Sequence, residues 1–469
     1  MKYAKVAVEA ANYSFDTEFT YIIPPEEEQT AKKGCRVTVP FGNGNKKCLG
    51  IIFDITDEPA QGRLKKISEV RDESPLLSDE MLGLARYIGD RTFCTLYEAA
   101  KSMLPAGINY KMISFYAAAR DVDEKALSKL DGTEKEIYDY LFSVGNFIRE
   151  DLILKRLSLK KDTGVFSRLV KKKYLVSRTD AVKNLNELKS VMVRPVPEDE
   201  IPGKLSAKQR EIYDILLDAG SASVHDLCYF TGYTPSVDYF AGREQPQAQR
   251  TALALTDEQQ KAKDRLCKLA FSGKRATSLL YGVTGSGKTS VYMSVMDEVV
   301  DSGKSVILLV PEIGLTPQAM SIFSRRYGSN VAIFHSALSI RERKEQWQRV
   351  KKGEAKIVIG TRSAIFAPLE NIGLIIIDEE QEHTYKSEQT PRYDACDAAK
   401  YRSAYNNCLL ILASATPRVE SYANALAGKY ELCKLENRYG SATLPSVLTV
   451  DMRHAGVMPE CPEISRALF

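Results

Sequence analysis

The octapeptide Gly282-Val283-Thr284-Gly285-Ser286-Gly287-Lys288-Thr289 constrains this chain more than any other stretch. It fills every fixed position of the pattern GxxxxGK[ST], and its surroundings suit it. Ser278-Leu279-Leu280-Tyr281 leads in as a strand, and the residues after Thr289 lead out as a helix. Glycines let backbone amides wrap a phosphate, while the helix N-terminus turns its positive end toward negative charge. Gly282, Thr284, Gly285, Ser286, Gly287, Lys288 and Thr289 are therefore the candidate ATP-binding residues. Lys288 is expected on the β- and γ-phosphates and Thr289 on Mg²⁺. Such a loop belongs to a parallel α/β sheet. From Leu255 onward apolar runs at 277–281, 306–310, 357–360, 374–377 and 409–412 alternate with longer helical stretches, as that fold requires.

Two more of these runs end in residues that carry chemistry. The run ending at Ile377 is followed by Asp378-Glu379-Glu380-Gln381. Acids at the carboxyl end of a strand lie where α/β ligands bind. Asp378 is the expected second Mg²⁺ residue, and Glu379 the expected base that orients and deprotonates a water. The run at 409–412 leads into Ala413-Ser414-Ala415-Thr416-Pro417, whose hydroxyls suit a relay between nucleotide and conformation. Gln259, upstream of the phosphate loop, has the amide that reads both edges of adenine. His335 follows a strand-like run and is a further candidate.

Before Leu255 the pattern differs. Val6–Val8, Phe19–Ile23, Arg36–Val39 and Leu49–Ile55 are β-rich runs broken by Pro24-Pro25 and Gly42-Asn43-Gly44, so a small barrel or open sheet is expected. Residues 76–104 read as helical. An internal repeat follows: Glu136-Ile137-Tyr138-Asp139-Tyr140-Leu141 matches Glu211-Ile212-Tyr213-Asp214-Ile215-Leu216 at an offset of 75, and Asp151-Leu152 matches Asp226-Leu227. Helix, break, helix and turn in that order suit winged-helix units. The first copy continues through 163–175, whereas the second diverges after Thr234-Pro235-Ser236. The expected division is 1–110, a β-rich domain; 111–180, a winged-helix-like domain; 181–250, a linker with the second repeat; 251–450, the α/β lobe; and 451–469, a connection onward.

Of the 469 residues, 44% are hydrophobic and 27% charged, the balance of a soluble globular protein rather than a disordered or fibrous one. No apolar run reaches the roughly 18 residues of a membrane span. The start MKYAKVAVEAANYSF lacks a signal-peptide core. The nine cysteines form no CxxC pair, which excludes a zinc site of ordinary spacing and fits a reducing cytoplasm. The net charge of +4 names no partner, but its distribution does. Residues 150–178 hold nine basic side chains (Lys155, Arg156, Lys160, Lys161, Arg168, Lys171, Lys172, Lys173 and Arg178) against three acids. On a winged-helix unit that run suits nucleic-acid phosphates.

Residues 255–450 resemble the first motor lobe of a superfamily 2 helicase: Gln259, GVTGSGKT, LLVPEIGLTPQ (308–318), GTRSAIFAP (360–368), DEEQ (378–381) and ASATP (413–417) come in order. VPEIGLTPQ, GTRSAIFAP and the loop 385–393, with FTYIIP…GCRVTVPFGNGN (19–45), resemble more narrowly the PriA family of replication-restart helicases. The resemblance implies a RecA-like lobe behind a β-rich DNA-binding domain. It implies an ATP-dependent, cytoplasmic three-prime to five-prime DNA helicase that recognises stalled forks and initiates primosome assembly. ATP and Mg²⁺ are the implied cofactors; forked and single-stranded DNA, primosome proteins and single-stranded-DNA-binding protein are the implied partners, with no membrane. Arg362, Tyr385, Arg392 and Tyr393 become expected DNA contacts, the tyrosines by stacking on bases; Lys171, Lys172 and Lys173 are expected on phosphates. Gln381, Ser414 and Thr416 become coupling residues. The family pattern has His where this chain has Gln381, and Asp where it has Thr20. Its zinc-binding cysteine cluster and second motor lobe follow the point where this sequence stops, so the chain is expected to bind forked DNA without appreciable unwinding or DNA-stimulated ATPase. A non-hydrolysing fork-binding protein and another repair translocase are the alternatives.

Overall fold

The computed structural model describes residues 2–58, 64–105, 110–119, 130–159, 164–183, 192–198, 205–219, 253–311, 317–336 and 340–438, with isolated short pieces between and after them. Several sequence expectations fall outside these residues: Lys160 and Lys161 of the basic run, residues 234–236 and 238–249 after the second repeat, and 312–316 of the VPEIGLTPQ segment.

The N-terminal domain is a six-stranded sheet in the order β5-β2-β1-β4-β3-β6. Its strands are β1 (Tyr3–Val8), β2 (Phe19–Ile22), β3 (Arg36–Phe41), β4 (Lys46–Thr56), β5 (Lys65–Lys66) and β6 (Glu69–Val70). The turn at 42–45 joins β3 to β4 as an antiparallel hairpin. Two helices close the domain, α1 (Asp79–Thr92) and α2 (Leu96–Ser102). Ser78 caps the first through the Met81 amide, and Thr95 and Glu98 form a reciprocal capping box on the second.

The repeat is visible as structure. The first unit runs β7 (Tyr110–Ala118), α3 (Gly132–Val144), β8 (Ile148–Arg149), α4 (Glu150–Arg156), α5 (Val165–Lys171) and β9 (Leu175–Lys183), with sheet order β8-β7-β9. The second shows β10 (Met192–Val193), α6 (Ala207–Ala219) and β11 (Ala222–Ser223). In both, the strand before the helix pairs antiparallel with the short strand after it. The offset of 75 carries the details. Asp131 and Ser206 each accept an amide at the start of their helix. Tyr138 and Tyr213 donate to the carbonyls of Ala119 and Val196, at 2.9 and 2.7 Å. Ile137 and Leu141 are buried, as are Ile212 and Leu216.

The C-terminal lobe is a seven-stranded, wholly parallel sheet in the order β14-β15-β13-β16-β17-β12-β18. In sequence it runs α7 (Asp257–Ala270), β12 (Ala276–Gly282), α8 (Lys288–Asp301), β13 (Ser305–Leu309), α9 (Pro317–Tyr327), β14 (Val331–Phe334), α10 (Ile340–Lys351), β15 (Ile357–Gly360), β16 (Ile372–Asp378), α11 (Ala395–Asn406), β17 (Leu409–Ser414), α12 (Val419–Leu426) and β18 (Glu431–Leu435). Every side chain of β13 and β17 is buried, as two-sided burial of a parallel sheet demands. One face packs on α7 and α8. The other merges with the helices of the N-terminal domain into one apolar core that includes Leu82, Leu84, Ile88, Ile375 and Leu410.

A buried ion pair crosses that junction. Arg402 on α11 is wholly buried, and its Nε donates to Glu80 Oε1 on α1 at 2.6 Å. Asn406 donates to the same oxygen at 2.9 Å. The rest of the guanidinium holds the carbonyls of Ile365 and Ala367, at 2.7 and 2.9 Å, and of Leu369 at 3.4 Å. Nearby, Gly83 leaves room for Tyr401, whose hydroxyl lies 2.2 Å from where a Cβ would stand.

Candidate nucleotide site and DNA-facing edge

β16, β17 and β12 are neighbours, so their carboxyl ends bring Asp378–Gln381, Ser414 and the phosphate loop onto one edge of the sheet. Gly285 and Gly287 hold φ of 79° and 82°, the left-handed region that glycine enters without strain. A Cβ on Gly287 would also come within 2.3 Å of Gln259 Nε2. Lys288 opens α8 with its amine buried, donating to the Gly282 carbonyl at 2.8 Å. The Ser286 hydroxyl is buried and has no hydrogen-bond partner among the described residues. Apart from its chain neighbours, no described atom lies within 4 Å of where a Cβ on Gly285 would stand. An orphaned hydroxyl, a buried ammonium and an open left-handed turn fit a polyphosphate anion. Thr284 and Thr289 are exposed at its mouth.

The acidic edge is held from several sides. Burial pushes the Asp378 carboxyl above the usual carboxylate range, with the neighbouring Glu379 charge adding to it. Tyr292, fully buried on α8, donates to Asp378 Oδ2 at 3.1 Å. Burial raises the Tyr292 hydroxyl well above its ordinary value, and the Asp378 charge adds to that rise. Tyr292 therefore holds Asp378, one of the two residues expected on Mg²⁺, from the side of α8. Glu379 takes a φ of 46°, unusual for a non-glycine residue. Its Oε2 accepts from Gln381 Nε2 at 2.9 Å, Gln381 Oε1 accepts from Ser414 at 2.6 Å, and Ser414 Oγ accepts the Thr416 amide at 2.8 Å. Glu380 turns inward, 1% exposed, to receive the Arg418 amide at 2.8 Å.

Residues 5–105 match the 3′ DNA-binding domain of PriA, and residues 256–425 match the DEAD/DEAH box helicase domain. The chain is PriA-like. The replication restart protein PriA of Bacillus subtilis is 33% identical across 97% of this chain and 58% of its own length. That of Chlamydia pneumoniae is 30% identical across 91% of this chain and 51% of its own. The chain thus spans about half the length of the curated relatives it matches. The helicase match starts at Thr256, which forms a capping box with Gln259 at the head of α7.

In this PriA-like chain two expectations are corrected. Tyr385 and Tyr393, read as base-stacking side chains, are 1% and 7% exposed. The Tyr385 hydroxyl donates to the Asp378 carbonyl at 2.6 Å, and Tyr393 packs on Phe366, so both position the edge from inside. Apolar neighbours captured these rings because they sit between an acidic strand end and a packed turn. Gln259 is engaged within the protein: Oε1 accepts the Thr256 amide at 3.0 Å and Nε2 donates to the Ser286 carbonyl at 2.9 Å. Arg362 remains half-exposed over the Tyr393 ring, donating to the carbonyls of Thr384 and Lys386 at 3.1 and 2.7 Å, and Arg392 is exposed. His335 is buried. Tyr292, Glu380 and the Glu80–Arg402 pair escaped sequence reading. Tyr292 sits three residues after Thr289, one helical turn on, and that spacing was the available signal.

Lys171, Lys172 and Lys173 are exposed at and after the end of α5. Lys172 lies 3.7 Å from Glu134, and Lys173 takes a φ of 65°. Neutralising all three is expected to weaken duplex binding regardless of sequence. The slope of log affinity against log salt should become shallower by up to about 0.9 per lost phosphate contact. Titrations at several salt concentrations measure it, and an unchanged slope makes the run a solvated face.

Proposed function

We propose that this chain is the fork-binding and ATP-using portion of a three-prime to five-prime DNA helicase that recognises stalled replication forks and starts primosome assembly. The observation that carries the reading is the Glu80–Arg402 junction. It joins a 3′ DNA-binding domain to the carbonyls of the turn that presents Arg362, so DNA and nucleotide elements form one packed body. Lys288 holds the β- and γ-phosphates, and the Ser286 hydroxyl and loop amides complete the cradle. Thr289 and Asp378, the latter held by Tyr292, would hold Mg²⁺, which would supply positive charge against the charge developing on the phosphates. Glu379 orients a water and accepts its proton. Gln381 and Ser414 hold the Glu379 carboxylate, so a shift of the Ser414–Thr416 segment reaches the base directly. Single-stranded-DNA-binding protein and primosome proteins are the proposed partners.

Glu379→Gln tests the role of the base. The amide keeps the size and loses the proton acceptor, so ATP should stay bound while hydrolysis falls by about 10²-fold or more. The measurement belongs in a chain extended over the full length of the PriA relatives, with and without forked DNA. Wild-type turnover in the variant moves the base elsewhere, and turnover indifferent to DNA in the parent protein removes the motor reading.

A further inference from the structure

Among the described residues, three buried side-chain atoms lack a hydrogen-bond partner: Asp16 Oδ1, Ser286 Oγ and Arg438 Nε. Two of them belong to one corner of the motor lobe. β18 runs parallel to β12 with Leu435 opposite Gly282, so the chain leaving β18 passes the root of the phosphate loop. A Cβ on Gly282 would stand 2.6 Å from Ser286 Oγ and 2.8 Å from Leu435 Cβ. Arg438 follows three residues after Leu435 and is half-buried.

The start of α7 fixes the segment that carries Arg438. Glu258 accepts the amide of Glu436 at 2.7 Å and that of Asn437 at 3.4 Å. The next residue, Gln259, holds the Ser286 carbonyl through Nε2. One turn of helix thus ties the phosphate loop to the two residues before Arg438. Both ends of the Gln259 amide are occupied in doing so. A guanidinium stays charged at any working pH. A buried N–H on it with no acceptor is unfavourable in the free protein and is stabilised by an incoming anion.

Strand order says which part of the anion arrives there. Along the carboxyl edge the strands run β16, β17, β12, β18. Glu379, the base that acts at the γ-phosphate, follows β16, and the phosphate loop follows β12. A triphosphate that ends at Glu379 and crosses the loop carries its α-phosphate and nucleoside onward, toward β18.

We infer that Arg438 binds the nucleotide at its α-phosphate, on the nucleoside side of the phosphate loop. The inference rests on the phosphate-loop reading and adds to it a residue beyond the loop, the acids and the hydroxyls at 414 and 416. The planar edge of the guanidinium offers two parallel donors to phosphate oxygens, and Nε is one of them.

Calorimetric titration of the whole chain with ATP, ADP and AMP, each with Mg²⁺, tests it. Arg438→Met keeps an apolar stem and removes the charge. It should weaken all three nucleotides about ten-fold or more and by one common factor, because all three carry the α-phosphate. Arg438→Lys keeps a point charge without the two-donor edge and should recover part of that loss. Both nucleotide-free variants should melt at or above the parent temperature, since Nε leaves no partner behind. The inference is overturned if both variants bind ATP as the parent does. It is overturned if ATP alone loses affinity, which puts the guanidinium at the γ end, or if AMP is indifferent to the substitutions. A collapse in the melting temperature of both free variants overturns it as well, by making Arg438 a structural residue. Each of these results leaves Lys288 and the phosphate-loop reading standing, whereas a parent chain that binds none of the three nucleotides removes both.

Discussion

Arg402→Ala is expected to lower the unfolding free energy by about 3–5 kcal/mol, because it leaves the Glu80 carboxylate buried without its partner. The Glu80 side chain is 7% exposed and that of Arg402 0%, so water cannot replace the lost contact. Three backbone carbonyls, of Ile365, Ala367 and Leu369, lose their donor in the same substitution. For a unit of this size the shift in melting temperature is roughly ten degrees. Unfolding of a multidomain chain is not guaranteed to be two-state, so the transition to follow is the one that includes the motor lobe. The double change Glu80→Leu with Arg402→Met removes both charges and keeps apolar volume. It should recover much of the loss, since apolar replacement of a buried pair is often neutral. A single variant that melts with the parent protein would show that the junction contributes nothing. Because Arg402 also holds the turn after Arg362, the single variant should bind single strands less tightly even where it stays folded.

That junction also marks how far the sequence could be read. The phosphate loop, the acids at 378–380 and the hydroxyls at 414 and 416 lie within a few residues of the strand ends that present them. Local pattern therefore located them. The repeat was legible because Asp131 and Ser206, and Tyr138 and Tyr213, occupy matching positions at an offset of 75 and make matching hydrogen bonds. The strand at 431–435 was not, since its five residues, Glu-Leu-Cys-Lys-Leu, follow no clean period and only Cys433 and Leu435 are buried. Arg402 and Glu80 are 322 positions apart, and neither has a motif around it. Tyr385 and Tyr393 failed in the opposite direction. An aromatic loop after an acidic strand end suits both a base platform and a packed lining, and only tertiary contacts separate the two. Gln259 was placed by its motif but oriented by its own capping box, a local hydrogen bond that competes with a ligand for the same amide.

Lys288→Ala is expected to weaken nucleotide binding at least about a hundred-fold, two factors of ten at roughly 1.4 kcal/mol each. The Lys288 amine is the cation aimed into the cradle, and charge-assisted bonds to phosphate are about twice as strong as neutral ones. The free protein should respond differently. Without nucleotide the buried ammonium has the Gly282 carbonyl as its partner, and no described carboxylate lies within ion-pair distance of it. Its burial is thus a strain that the folded state carries until an anion arrives. Removing it should leave the melting temperature of the nucleotide-free protein unchanged or raised, the usual relation where a functional group is held at the expense of stability. Bound nucleotide stabilises the folded state by mass action, so the parent protein should melt higher with ATP and Mg²⁺ present, and the variant should show no such shift. Calorimetric titration and paired melting curves, with and without nucleotide, read both halves. Nucleotide affinity equal to that of the parent protein would remove the phosphate-loop assignment. A collapse in the melting temperature of the free variant would instead make Lys288 a structural residue, its bond to Gly282 holding the loop closed.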